Sequence, residues 1–205
     1  MNESLATQWP PALLYGLAGI VLLVVIGLLV RHFYKPRRTL KSVIKTIAFE
    51  RLSDLVIPKA DEGEILIDHL LLTAGGLLIL DLKSVEGIVF GSDKMQDWTV
   101  IGKDRRYTFA NPQHALYDRI AAVRQIVRDV PVSGRVLFLD GADFTKGVPS
   151  LVCDLDDLLD EFGETDRTGA AARIDAFKPH WERIRQAGLT SAAVGRNRRP
   201  ARLRD

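Results

Sequence analysis

The sequence predicts an α/β fold, a mixed sheet flanked by helices, preceded by one transmembrane helix. Two apolar, β-rich runs, Ile65 to Leu72 and Leu77 to Leu82, flank Thr73-Ala74-Gly75-Gly76 and read as an antiparallel hairpin. An apolar stripe at helical spacing, Ala115, Leu116, Ile120, Val123 and Val127, precedes Arg135-Val136-Leu137-Phe138-Leu139, as a crossover helix precedes a buried parallel strand. Ala12 to Val30 carries no charge and matches the roughly 20 apolar residues needed to cross a bilayer core.

In chain order, the 205 residues suit one modest domain plus extra segments, and the N-terminal end inflates the hydrophobic content of 47%. Residues 1–11 read as a short extracytoplasmic end and residues 12–30 as the membrane helix. A cleaved signal peptide is the competing reading, but Glu3 and no Lys or Arg precede the helix, and no small-residue cleavage site follows. Trp9, Tyr15, Phe33 and Tyr34 lie near its two ends, as interfacial aromatics do. Arg31, Lys35, Arg37, Arg38, Lys41 and Lys45 all follow it, so the chain reads as a single-pass cell-membrane protein whose C-terminal domain is cytoplasmic. This basic cluster, in the linker of residues 31–47, suits topology and contact with anionic lipid better than a nucleic-acid patch.

Thr39 to Ile47 is a short helical or linking stretch, and the domain proper spans residues 48–187. Its first strand is Phe49 to Ile57, followed by a polar turn at Asp61-Glu62-Gly63 and the hairpin. Ser84 to Phe90 is expected to extend the same sheet, with Gly87 and Gly91 allowing bends. Trp98-Thr99-Val100 and Arg106-Tyr107-Thr108-Phe109 form another hairpin around Gly102-Lys103-Asp104, with Trp98 a core or rim aromatic rather than a base-stacking platform. Asn111 and Pro112 have the chemistry of an N-cap and first turn for a helix from Gln113 to Arg128. Val148 to Cys153 adds a short strand and Asp154 to Gly163 a helix, whose acids form a solvated face without the spacing of a calcium loop. Ile174, Phe177, Trp181 and Ile184 mark a closing helix within Thr168 to Ala187, interrupted by Pro179. Residues 188–205 read as a disordered basic tail able to contact lipid headgroups or nucleic acid. The single cysteine, Cys153, excludes an internal disulfide and agrees with a reducing cytoplasm.

The chemistry concentrates in the hairpin. Side chains alternate along a strand, so Leu77, Ile79, Asp81 and Lys83 share one face, and Leu66, Asp68, Leu70 and Leu72 share a face of the partner strand. A four-residue loop puts Asp68 opposite Asp81, with Cβ atoms roughly 5 Å apart. A two-residue turn at Gly75-Gly76 puts Asp68 opposite Lys83 and diagonal to Asp81. Two carboxylates so close repel unless a cation separates them, and a hard divalent ion such as Mg²⁺ accepts one or two carboxylates with waters and a substrate phosphate. Lys83 would then orient an attacking water or stabilise developing phosphate charge. The competing reading is a structural ion pair of Lys83 with either acid.

The order Ile67-Asp68-His69, then Gly76-Leu77-Leu78-Ile79-Leu80-Asp81-Leu82-Lys83, Gly87-Ile88-Val89-Phe90-Gly91, Trp98 and Phe109-Ala110-Asn111-Pro112-Gln113 resembles the nuclease-related (NERD) domain of the PD-(D/E)XK superfamily. The resemblance covers roughly Phe49 to Val130. It implies a restriction-endonuclease-like α/β fold and phosphodiester hydrolysis dependent on Mg²⁺ or Mn²⁺. Asp68, Asp81 and the Leu82 backbone carbonyl would be metal ligands, and Lys83 the catalytic lysine. Gln113 and Tyr117, one helical turn apart, resemble the Gln-x-x-x-Tyr motif that supports the active centre in RecB-like members; as surface polar residues they need no such role. The sequence departs from the family upstream, where a Gly-x-x-Gly-Glu helix supplies a further acid: no Gly-Glu pair stands between Thr39 and Ala48, and Glu50 is the nearest acid.

Residues 46–195 hold 17 of the 28 basic and 24 of the 26 acidic residues, a net charge of −7. That is the wrong sign for a broad duplex-binding face, although Lys103, Arg105 and Arg106, or Arg119, Arg124 and Arg128, form local clusters. Three readings follow: a membrane-anchored hydrolase acting in DNA or RNA processing; a catalytically inactive nuclease-fold module that serves as a membrane-tethered interaction protein; and a structural membrane protein with a coincidental motif, which requires the Trp98 and Asn111-Pro112-Gln113 matches to be accidents.

Overall fold

The computed structural model describes residues 38–59, 63–139, 141–163 and 167–198. Helix α1, Leu40–Ile47, begins at Thr39, whose hydroxyl accepts from the Ser42 amide while Ser42 reciprocates in a capping box. Strands β1 (Glu50–Lys59), β2 (Gly63–Thr73) and β3 (Gly76–Lys83) then form an antiparallel meander. After β4 (Gly87–Phe90), β5 (Asp97–Ile101) and β6 (Arg106–Ala110), helix α2 (Pro112–Ile126) carries the chain back to β7 (Val132–Phe138). β7 pairs in parallel with β3 from Leu77↔Val132 to Lys83↔Phe138, the expected crossover. Two short strands, β8 (Ala142–Asp143) and β9 (Val152–Cys153), and helices α3 (Leu155–Phe162) and α4 (Arg167–Arg198) complete the described residues.

The mixed α/β architecture holds, with two sheets where one was expected. The five-stranded sheet has the order β1-β2-β3-β7-β9, and the four-stranded sheet the order β6-β5-β4-β8. Ser84 to Phe90 therefore does not extend the first sheet. Gly87 adopts a φ of +122°, and a Cβ there would lie 2.5 Å from the Ile101 carbonyl oxygen, so the chain turns into a close approach that only glycine admits.

Both faces of the first sheet are buried, which is why β3 reads as continuous apolar sequence. Leu70, Leu72, Leu77, Ile79 and Val136 join Trp98, Leu116 and Trp181 in the larger core. Leu71, Leu78, Leu80, Leu137 and Cys153 pack on the opposite face with Val43, Ile44 and Ile47 of α1 and Leu158 of α3. Trp98 lies edge-on to Phe109 and Phe144 and stacks on Phe138, so it is a core aromatic.

Helix α4 continues to Arg198, past the point where the sequence reading ends the fold and begins a disordered tail. Pro179 lies inside it. Buried Ala170 and Ile174 before the proline, and Trp181 and Ile184 after it, anchor the helix on both sides. Among the described residues no helix is long and apolar enough to cross a membrane. The expected span at residues 12–30 lies outside the described residues, as do Asp61 and Glu62 of the polar turn and the tail beyond Arg198.

Candidate metal and catalytic site

The hairpin closes through a two-residue turn at Ala74-Gly75, with Thr73 paired to Gly76 and Leu72 to Leu77. The Thr73 hydroxyl holds the turn, donating to the Gly76 carbonyl at 3.0 Å and accepting from the Gly75 amide at 3.2 Å. This is the register that places Asp68 across from Asp81. The β2–β3 ladder itself stops one step earlier, at His69↔Leu80.

Side-chain alternation changes phase at this point. Ile65 and Ile67 before Asp68, and Leu70 and Leu72 after it, all face the same core, which an uninterrupted strand forbids. In β1, Leu52 and Leu55 do the same across Asp54, whose φ is +51°. Leu66 is consequently 47% exposed, and the single face expected for Leu66, Asp68, Leu70 and Leu72 does not exist. The strands separate there, and the Asp68 carboxylate supplies the acceptor the ladder lacks, taking the Leu82 amide at 3.0 Å.

Leu82 donates toward β2, whereas the neighbouring Lys83 carbonyl accepts from Leu139 on the β7 side at 3.1 Å. Within a strand a residue's amide and carbonyl point the same way and successive residues alternate, so the Leu82 carbonyl faces the notch that holds Asp68. Asp81 is 1% exposed. Lys83 Nζ lies 3.4 Å from its Oδ1, and Arg119 Nη1 lies 3.4 Å from its Oδ2. Burial pushes the Asp81 carboxyl above the usual carboxylate range; Arg119 and then Lys83 pull it back, while Asp68, within hydrogen-bonding reach, pushes it further up. Asp68, Asp81, Lys83 and Arg119 thus converge, and the strand direction turns the Leu82 carbonyl to the same side.

Arg119 belongs to this site, although its sequence cluster suggests a basic outer face. It lies three residues after Leu116 and four before Val123, two buried positions of α2, and that spacing is the signal that points it toward the sheet. Its Nε donates to the Leu66 carbonyl at 2.7 Å. Arg124 of the same cluster is likewise an internal tie, donating to the Val132 carbonyl at 2.9 Å.

Gln113 and Tyr117 do not join this group. The Gln113 amide donates to Asp93 at 3.1 Å and accepts from the Leu151 amide at 3.0 Å, and Tyr117 is 55% exposed. Asp93 also accepts from the Ser150 amide, and that bond, with Gln113 second, holds its carboxyl below the usual range. Asn111 caps α2 through the Gln113 amide and donates to the Met95 carbonyl at 2.8 Å, so Asn111-Pro112-Gln113 is a structural clasp. Among the described residues α1 supplies no upstream acid either, reading Leu-Lys-Ser-Val-Ile-Lys-Thr-Ile, and Glu50 accepts from Trp181 Nε1 at 2.7 Å. His69, beside Asp68, meets the Ser53 hydroxyl at 3.0 Å, and burial holds its imidazole below the ordinary value. Among the described residues no group of three or more His, Cys, Asp or Glu side chains is placed to hold a metal ion. The acids of α3 serve the fold: Asp154 caps the helix, Asp156 pairs with Arg38 and Glu161 with Arg135.

The chain matches the family model of the nuclease-related domain, NERD, over residues 37–139. It is 31% identical over 61 residues to an uncharacterized protein of Bacillus anthracis, a stretch covering 30% of this chain and 29% of that protein. No solved structure matches the chain. The family match takes in the acid hairpin, Lys83 and Arg119, and spans half of the sequence: the chain belongs to the nuclease-related domain family.

Proposed function

We propose that this protein is a membrane-anchored nuclease that hydrolyses nucleic-acid phosphodiesters with Mg²⁺ or Mn²⁺ held at Asp68, Asp81 and the Leu82 carbonyl. The observation that carries the reading is the meeting of the Asp68 and Asp81 carboxylates beside the Leu82 amide, with Lys83 against the buried acid. Oxygen donors of this kind fit a hard cation, which needs few protein ligands and fills its shell with water and phosphate. When bound, such an ion supplies a polarised phosphoryl oxygen and an acidified water. Asp81 draws Lys83 to the notch, leaving an ammonium beside the place where phosphate charge would grow. The Asp68–Leu82 bond holds the edge of β3 in register with the acid opposite. The uncharged segment at residues 12–30, followed by basic residues, supports a single-pass anchor with the domain in the cytoplasm.

A second reading, a catalytically inactive nuclease fold acting as a tethered interaction module, is favoured by α1, which carries no acid, and by Glu50, which is engaged with Trp181. Calorimetric titration of the full-length chain with Mg²⁺ and Mn²⁺, with Asp81→Asn as control and cleavage assays on single- and double-stranded substrates, separates the two. Binding lost in the variant together with metal-dependent cleavage supports the nuclease. No binding at millimolar metal, and no cleavage, leaves the interaction module.

A further inference from the structure

Each oxygen of the Asp81 carboxylate already faces a cation, and the two cations are held differently. Lys83 Nζ reaches Oδ1 from the same strand on a flexible stem, and its side chain is 33% exposed. Arg119 reaches Oδ2 from α2, is 17% exposed, and is tied at its other edge to the Leu66 carbonyl at 2.7 Å. That carbonyl lies where the strands separate, so the phase change at Asp68 both opens the notch and anchors the guanidinium that enters it.

We propose that Arg119 is the resident cation of this site, which a divalent ion must displace from Asp81, so that Arg119 sets the metal affinity. The inference rests on the nuclease reading of the same two acids. A guanidinium and a metal ion want the same carboxylate oxygens, and both cannot hold Asp81 Oδ2 without severe like-charge repulsion. The pair with Arg119 also offsets part of the burial of Asp81 with a charge that is internal to the fold. With two carboxylates in the notch among the described residues, the competitor's charge is a large fraction of the local field. A neighbouring cation within about 4–6 Å changes a carboxylate's affinity for a proton roughly 10- to 1,000-fold, and a divalent ion responds in the same direction.

The test is calorimetry of the full-length chain with Mn²⁺ and Mg²⁺, comparing wild type, Arg119→Gln and Arg119→Lys, each also carrying Asp81→Asn as a control. Thermal unfolding without metal and the near-ultraviolet signal of the buried tryptophans report folding. Arg119→Gln is expected to lower the metal-free melting temperature and to tighten metal binding by about tenfold or more, with the gain abolished by Asp81→Asn. Arg119→Lys keeps the charge and is expected to remain within roughly threefold of wild type. A folded Arg119→Gln variant that binds metal no more tightly than wild type overturns the inference, as does an Arg119→Lys variant that tightens equally. If wild type binds metal through Asp81 and cleaves nucleic acid while Arg119→Gln gains nothing, the inference fails alone. If no variant shows binding that depends on Asp81, the inference and the nuclease reading both fail.

Discussion

Replacing Gly76 with alanine tests whether the turn of the acid-bearing hairpin is pinned against Pro131. Gly76 has a φ of +121°, outside the left-handed region that even asparagine tolerates, and holding a side chain there costs about 1–3 kcal/mol. Its added Cβ would meet the Pro131 carbonyl oxygen at 2.4 Å and the Pro131 Cβ at 3.0 Å. The oxygen is backbone and already accepts from the Leu77 amide at 2.8 Å, so relief of the clash weakens a bond worth about 1 kcal/mol. Together these give a loss of about 3 kcal/mol, or roughly 6–12 °C in melting temperature for a chain of this size. Gly75→Ala is the paired control, since its Cβ meets nothing closer than the Thr73 hydroxyl at 3.8 Å. Thermal and urea unfolding of both variants should separate them, with Gly75→Ala within about 0.5 kcal/mol of wild type. A Gly76→Ala loss below about 1 kcal/mol, or equal losses in the two variants, would refute the argument that the turn is pinned against Pro131.

Gly91→Ala should cost about 2–3 kcal/mol, because its Cβ would lie 2.5 Å from the Trp98 ring, which Phe109, Phe138 and Phe144 prevent from yielding; tryptophan fluorescence during unfolding reports it. The Cys153 thiol is pushed up by burial from 9.0 to about 12, so its protonated form contributes stability that is full below pH 9 and lost as pH rises toward 12. Cys153→Ala should therefore lose stability less steeply than wild type across that window, and native wild type should resist thiol reagents at pH 8; equal slopes would contradict the assignment. Protonation of Asp81 stabilises the fold in full below the ordinary value of 3.8 and less as pH rises through its raised folded value. Asp81→Asn should flatten the dependence of stability on pH above 3.8, as measured by denaturation at a series of pH values, and an unchanged slope would count against the buried acid.

The hairpin, the crossover into β7 and the cap at Asn111 were legible in the sequence because each follows from neighbours in the chain: a glycine turn, an apolar period, a side chain that reaches a nearby amide. Asp68, Asp81 and Lys83 were legible for the same reason, as charges placed within apolar strands. Tertiary structure decided the rest. The choice of register, the change of phase at Asp54 and Asp68, and the departure of β4 into a second sheet depend on strands pairing across the chain and on which carbonyl sits beneath Gly87. Gln113 found Asp93 and Leu151 because the loops on either side fold over the start of α2. Helix α4 passes Pro179 because buried side chains on both sides outweigh a local signal to stop. Arg119 reaches Asp81 only once α2 packs on the sheet, 38 residues on in sequence. Local chemistry selects turns, caps and strands within a few residues, whereas burial and charge neutralisation act through space, and they determine which of those residues become a site.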